Sequence, residues 1–443
     1  MDEQNSLKIQ RVALNNFRRF ESQEFHFSDQ FTILIGDNGS GKTAILDAVA
    51  LTLSAFLSGF GSQGEQRLAE SDVRRVRIDY EDQTTSEPQY PVSVHCEGAV
   101  YDASYSWGQK MDARGKDSHY ETDDRFEELV SQMLEGVKSG EDIILPLIAH
   151  YATDRLWRDD RPSTETLTPG SRLEAYDDAL QSTSAARAFI NWFRTQELSA
   201  LQRGENKTLE AVKHAISACV PEWGEVYFDV REDELLAISP ERPPLAFRFM
   251  SDGVRNMIAL VADIARKAAT LNPHLGPEAI TRTTGIVLID ELGLHLHPNW
   301  QRRVVDDLRN TFPSVQFLAT THSPFVIQAV SGSELMDLNA DSGTYEEWHS
   351  IEDIAEEVMG VDNVQRSKRF VDMQESAEEY FETLEEAAEL PADERSELEE
   401  KLDQLIEPFA NDPAYTAYLN IKREVKLKGN GEEADDNASS NES

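Results

Sequence analysis

Residues 36–43 read Gly36-Asp37-Asn38-Gly39-Ser40-Gly41-Lys42-Thr43. Glycines at 36, 39 and 41 let the backbone fold tightly enough to turn its N–H groups onto a phosphate. The stretch follows a short β-rich run, Phe31 to Ile35. It opens a segment in which Ile45, Leu46, Val49, Leu53 and Phe56 recur at helical spacing. Strand, glycine-rich turn, helix is the context that a phosphate-binding loop requires, and the helix N-terminus adds positive potential there. In such a loop Lys42 reaches the β- and γ-phosphates of a nucleoside triphosphate, and the Thr43 hydroxyl holds Mg2+.

Downstream, Gly285-Ile-Val-Leu-Ile-Asp290-Glu291 runs an apolar strand straight into two acids. That pattern predicts a Walker B strand, with Asp290 orienting the magnesium shell and Glu291 polarising an attacking water. Phosphoryl transfer to water needs mainly positioning and charge neutralisation, which these groups supply. A helix over Gln301 to Asn310 and a strand over Val315 to Ala319 follow. Then comes Thr320-Thr321-His322-Ser323-Pro324, which places His322 31 residues beyond Glu291. Two apolar strands flanking a helix predict a parallel αβ core, with His322 delivered to the same sheet edge.

The rest of the chain is less specific. Residues 7–35 read as two or three strands, and 73–107 as exposed strands. Residues 108–125 read as a polar loop, 126–138 as a short helix and Ile143 to Ala149 as a buried strand. Residues 155–172 read as a long loop and 173–219 as helices, with Phe189, Trp192 and Phe193 as core packing. A hairpin is expected over Val226 to Ser239, a short strand over Leu245 to Phe249 and a helix over Gly253 to Ala269. Residues 351–443 hold 27 acidic and 9 basic residues. The end from 429 has no apolar residue beyond alanine and reads as disordered.

The whole chain has 82 acidic and 42 basic residues, a formal net charge of -40. Such a chain repels polyanions at long range. Contact with nucleic acid therefore needs a local basic patch, for which Arg74, Arg75, Arg77 and Arg155, Arg158, Arg161 are the candidates, or a partner. Few Lys, 13 against 29 Arg, also suits a saline source. No apolar run approaches membrane-span length, and no secretory leader is apparent. Cys96 and Cys219 have no metal-ligand spacing and read as reduced thiols of a cytoplasmic protein.

The phosphate loop, the Asp290-Glu291 strand and His322, in this order, resemble the ATP-binding-cassette class that includes the chromosome-maintenance ATPases. That class adds a signature loop. Phe249-Met250-Ser251-Asp252-Gly253-Val254-Arg255-Asn256 stands in its place, departing from the class at Val254. The resemblance implies that Ser251 and Gly253 contact the γ-phosphate held by an opposite subunit, so that two copies sandwich ATP. Asn16-Phe17-Arg18-Arg19-Phe20 resembles the class's N-terminal turn and puts Arg18 or Arg19 beside the nucleotide. Lys42 and Ser251 are 209 positions apart, more than transporter cassettes use and without coiled-coil inserts. Ile148 to Trp157, Ser171 to Leu180, Phe189 to Phe193 and Glu291-Leu-Gly-Leu-His295-Leu-His297-Pro298 resemble the PtuA-type ATPases of Septu and retron anti-phage systems. That family works with an HNH-type nuclease encoded beside it; this chain has no His-Asn-His array of its own.

The resemblance implies an α/β fold: an ATP-binding-cassette-type head on a mixed β-sheet core, a helical insertion lobe and acidic C-terminal helices. The expected divisions are 1–60 and 246–345 for the head, 61–245 for the insertion, 346–428 for the acidic helices and 429–443 for a disordered tail. The leading functional expectation is a Mg2+-dependent ATPase, dimeric or larger through the ATP sandwich. It would control a partner nuclease and meet nucleic acid through that partner. A stand-alone DNA-repair ATPase and a non-hydrolysing ATP-bound scaffold remain the alternatives.

Overall fold

The computed structural model describes residues 7–62, 64–80, 83–101, 103–153, 170–180, 185–239, 242–339, 350–361, 367–391 and 394–438. The chain divides into two compact units, Met1–Ile354 and Ala355–Ser443. The first contains β1 (Leu7–Phe17), β2 (Phe20–His26), β3 (Phe31–Ile35), β4 (Arg75–Asp79), β5 (Thr84–Pro88), β6 (Val92–Val100), β7 (Ala103–Met111) and β8 (His119–Thr122). It continues with β9 (Leu147–Tyr151), β10 (Glu225–Asp229), β11 (Glu234–Ser239), β12 (Arg242–Ala246), β13 (Gly285–Ile289), β14 (Val315–Thr320) and β15 (Leu335–Asp337).

The strands form two five-stranded sheets of opposite character. One is parallel, in the order β15-β3-β14-β13-β9. Strands β3, β9, β13 and β14 are buried at every position, as unbroken apolar runs covered on both faces must be. The register Gly285↔Leu147 brings β9 so near that a Cβ on Gly285 would lie 2.0 Å from the Leu147 carbonyl oxygen. The other sheet is antiparallel, β2-β1-β6-β7-β8. The helix Lys42–Ser58 is buried nearly all round, consistent with packing against both sheets.

A buried glutamine ties the two sheets together. The β1–β6 register shifts between Ile9 and Arg11. At that bulge, Gln316 of β14 accepts from the Ile9 N–H and donates to the Ile9 carbonyl, both at 2.8 Å. Backbone groups left without ladder partners are thereby satisfied inside the core.

The second unit includes the helices Lys368–Glu389, Ser396–Ile406 and Pro413–Ala438, around Tyr380, Leu384, Leu402, Ile406 and Leu419. Arg423 pairs with Glu399 and Asp403 across helices. The last helix runs to Ala438, so residues 429–438 are helical where the sequence suggested disorder; 439–443 lie outside the described residues.

Other local expectations are also revised. Strand β7 runs to Met111 and β8 occupies 119–122, within the segment read as a polar loop. Lys110 and Glu121 pair at 3.3 Å across these strands, so polarity there marks an edge ladder. Residues Phe247–Phe249 form a 3-10 turn rather than a strand. The interval 61–245 is not one insertion lobe: β6 pairs with β1, and β9 with β13, so much of it completes the two sheets. Most of the expected loop at 155–172 lies outside the described residues. Phe189 and Phe193 are fully buried, as core packing requires. No helix among the described residues is long and apolar enough to cross a membrane.

A net charge of -40 opposes compaction. Raising KCl from 0.1 M to 1 M shortens the screening length from about 10 Å to about 3 Å. The melting temperature, followed by differential scanning fluorimetry, is expected to rise by about 5 °C or more over that range.

Candidate functional site

Parallel strands deliver their following loops to one edge of a sheet. At that edge β3 ends in Gly36, with φ 137°, followed by Gly39 at 82° and Gly41 at 106°. These left-handed values are open to glycine at low cost. A Cβ on Gly41 would lie 2.5 Å from the Phe20 ring, so the β1–β2 turn leans directly on the loop. Around Gly39 a Cβ would meet nothing within 4 Å. Asp37, Asn38 and Gly39 are exposed, and the Asp37 N–H donates to Asn339 Oδ1 at 3.3 Å, just beyond β15.

Lys42 is 7% exposed and its Nζ donates to the carbonyls of Gly36 at 2.7 Å and Asp37 at 2.9 Å. Burial pushes its ammonium below the usual lysine range, against the opposing pull of Glu291, Asp290 and Asp37. The Ser40 hydroxyl is buried with no protein partner. An orphaned donor inside a ring of backbone amides, beside a lysine, fits a phosphate.

The neighbouring strand contributes the acids. Thr43 Oγ1 donates to Asp290 Oδ2 at 3.0 Å, and Thr320 Oγ1 donates to Asp290 Oδ1 at 2.5 Å. The Asp290 N–H donates to the Tyr151 carbonyl at 2.8 Å. Thr320 also accepts from the Glu291 N–H at 2.8 Å, so one buried hydroxyl positions both acids. Glu291 has φ 54°, a left-handed conformation that a non-glycine residue keeps only under constraint. Its Oε1 lies 3.5 Å from His322 Nε2, and both side chains remain partly exposed. Lys42, Thr43, Asp290, Glu291 and His322 thus gather at one sheet edge.

Ser251 and Gly253 do not join them. Ser251 caps the helix Asp252–Leu271 without a side-chain capping bond and is exposed. A Cβ on Gly253 would lie 2.3 Å from the His295 carbonyl oxygen, so this glycine permits the close approach of the loop after Glu291. Together they line a cavity of ≈ 780 Å³ with Trp223, His295, His297 and Trp300, and no residue of the phosphate loop lines it.

A family model described as an AAA domain matches residues 11–220, and a second, described as AAA domain, putative AbiEii toxin, Type IV TA system, matches 132–328. The chain is an ATPase. This ATPase is 24% identical to Septu protein PtuA of Bacillus thuringiensis, over 91% of this chain and 95% of that one. It is 24% identical to the Retron Vc95 probable ATPase of Vibrio cholerae, over 75% and 74% of the two chains. For the Retron Ec83 probable ATPase of Escherichia coli the identity is 26%, over 74% and 71%. Among solved structures, an SMC head bound to the C-winged helix domain of ScpA aligns at 15% identity and TM-score 0.46, covering 74% of this chain and 93% of that one.

The two arginines of the β1–β2 turn are held differently. Arg18 is held by Asp47 at 2.6 Å and Asp72 at 3.0 Å. Its neighbour Arg19 donates to the Gly39 carbonyl. Sequence reasoning also missed the organising role of Thr320 and the contact of Asn339. Thr320 carries a signal, a hydroxyl directly after an apolar strand; Asn339 carries none. Arg18→Ala is expected to strand the largely buried Asp72 and cost about 1–3 kcal/mol of stability. Arg19→Ala is expected to weaken ATP binding about fivefold with little change in melting. Titration with a fluorescent ATP analogue and thermal denaturation separate the two.

Proposed function

We propose that this ATPase serves in an anti-phage defence complex, where it binds Mg-ATP and hydrolyses it at sites shared between two copies to control a partner nuclease. The likeness to PtuA and to the retron ATPases over most of the chain supports the defence role. One observation carries the mechanism. Lys42, Thr43, Asp290, Glu291 and His322 converge, whereas Ser251 and Gly253 open onto a different surface. A second copy then supplies Ser251 and Gly253 to a nucleotide held on the first.

Within one copy, the N–H groups of residues 36–43 and Lys42 hold the phosphates. Glu291 accepts the proton of the attacking water, and His322 orients Glu291 and the terminal phosphate. The Thr43 hydroxyl and the Asp290 carboxylate are the groups that would hold Mg2+. When bound, that ion supplies charge neutralisation on the β- and γ-phosphates. Coupling to association follows from the divided site: ATP joins two copies, and hydrolysis lets them part.

The reading that the chain clamps DNA itself has less support. Arg74 is paired with Glu21, and Arg77 with Asp79. Arg155, Arg158 and Arg161 lie outside the described residues.

Glu291→Gln is expected to lower ATP turnover by at least about 100-fold while retaining ATP-dependent dimers. Lys42→Ala loses both binding and dimers. Phosphate-release kinetics and size-exclusion chromatography with light scattering check these outcomes. Turnover without any ATP-dependent association would refute the shared site. Co-expression with a nuclease encoded in the adjacent reading frame, followed by co-purification, tests the partner.

A further inference from the structure

A cluster of charge is buried between β9 and the signature helix Asp252–Leu271. Asp263 is 0% exposed, Lys267 2%, Tyr151 3% and Arg266 7%. Lys267 Nζ donates to Asp263 Oδ2 at 2.7 Å, and Arg266 donates to Oδ1 through Nε at 3.0 Å and Nη2 at 2.7 Å. Asp178 pairs with Arg266 at 3.3 Å and with Lys267 at 3.2 Å. Burial alone would raise the Asp263 carboxyl, but the charges and hydrogen bonds of Lys267 and Arg266 outweigh it and hold the group ionised, at about 2.

Two carboxylates balance two cations here, so neutrality does not need a fifth member. Tyr151 is nevertheless present: its hydroxyl donates to Asp263 Oδ2 at 2.8 Å. Burial pushes that hydroxyl well above the usual tyrosine range, with the Asp263 charge adding to the effect, so it stays a donor. The main chain of the same residue accepts the Asp290 N–H at 2.8 Å. One residue therefore touches the signature helix with its side chain and the Walker B acid with its backbone. Ser251 caps that helix twelve residues before Asp263, about 18 Å away along a rigid rod. A shift of the helix at its Ser251 end is carried to Asp263, and from there to Tyr151.

We propose that Tyr151 is a positioning residue through which the signature helix sets the placement of Asp290 and Glu291. Engagement of Ser251 by a nucleotide on a second copy is thereby felt at the first copy's own hydrolytic carboxylates. The proposal rests on the shared-site reading above. It makes coupling between the two sites of a dimer reciprocal, as linkage requires.

Tyr151→Phe in the full chain tests it. Phenylalanine fills the same volume and leaves Asp263 with three donors, so melting is expected to fall by no more than about 4 °C. Half-saturating ATP is expected to stay within about twofold. Wild type is expected to show a sigmoidal dependence of turnover on ATP, and in Tyr151→Phe kcat is expected to fall about tenfold with the curve becoming hyperbolic. Wild-type kcat and sigmoidality in Tyr151→Phe would overturn the proposal. Asp178→Asn is the control for general loosening of the cluster: it is expected to lower melting and keep the sigmoidal curve. If it instead reproduces the kinetic change, the effect is one of stability alone and the proposal fails. Ser251→Arg separates the underlying reading. If Ser251→Arg abolishes turnover and Tyr151→Phe changes nothing, the shared site stands without the link. If Ser251→Arg leaves turnover intact, both fall.

Discussion

The site depends on how one carboxylate is held. Asp290 is nearly buried at the end of β13, where a bare charge would cost several kcal/mol. Thr43 and Thr320 hydroxyls donate to its oxygens, and the Tyr151 carbonyl accepts from its N–H and fixes its backbone. Thr320 and Tyr151 end β14 and β9, and Thr43 lies in the first turn of the helix that follows β3. The parallel order β3-β14-β13-β9 therefore sets where Asp290 sits at that edge, and a one-residue slip in any pairing would remove a partner.

The antiparallel sheet appears remote from this chemistry but fixes one wall of it. Its β1–β2 turn puts Phe20 against Gly41 and Arg19 on the Gly39 carbonyl. The position of that turn depends on how the two sheets are joined, and Gln316 joins them at the β1 bulge. A buried amide is costly unless every polar atom is used. Here Oε1 takes the Ile9 N–H, and Nε2 serves the carbonyls of Ile9 and Ser28. An apolar residue at 316 would leave the bulge backbone unpaired in the core.

What could be read from sequence was local. The phosphate loop, β13 with its two acids, and the turn carrying His322 are each specified within about eight residues, where strand, glycine and acid chemistry follow one another. What could not be read was pairing at a distance. Polar β8 looks like a loop until Lys110 and Glu121 are known to face one another. Residues 61–245 look like an insertion until β6 finds β1 and β9 finds β13. Telling Arg18 from Arg19 required knowing that Asp47 and Asp72 pair with Arg18. No local pattern encodes any of these.

The charge around the phosphate loop leaves much of a triphosphate's charge to be met by backbone dipoles. Asp37, Asp290 and Glu291 all bear on Lys42, and Arg19 is the further cation that touches the loop among the described residues. A triphosphate brings about four more negative charges, of which one Mg2+ offsets two. The remainder must be met by dipoles and N–H groups, and the N-terminus of Lys42–Ser58 provides one such set. A second set lies at the N-terminus of Asp252–Leu271, whose capping Ser251 makes no side-chain bond. That helix end lines the cavity with Trp223 and Trp300, away from the phosphate loop. Electrostatic need and the separation of the two surfaces are the grounds on which the proposed shared site rests.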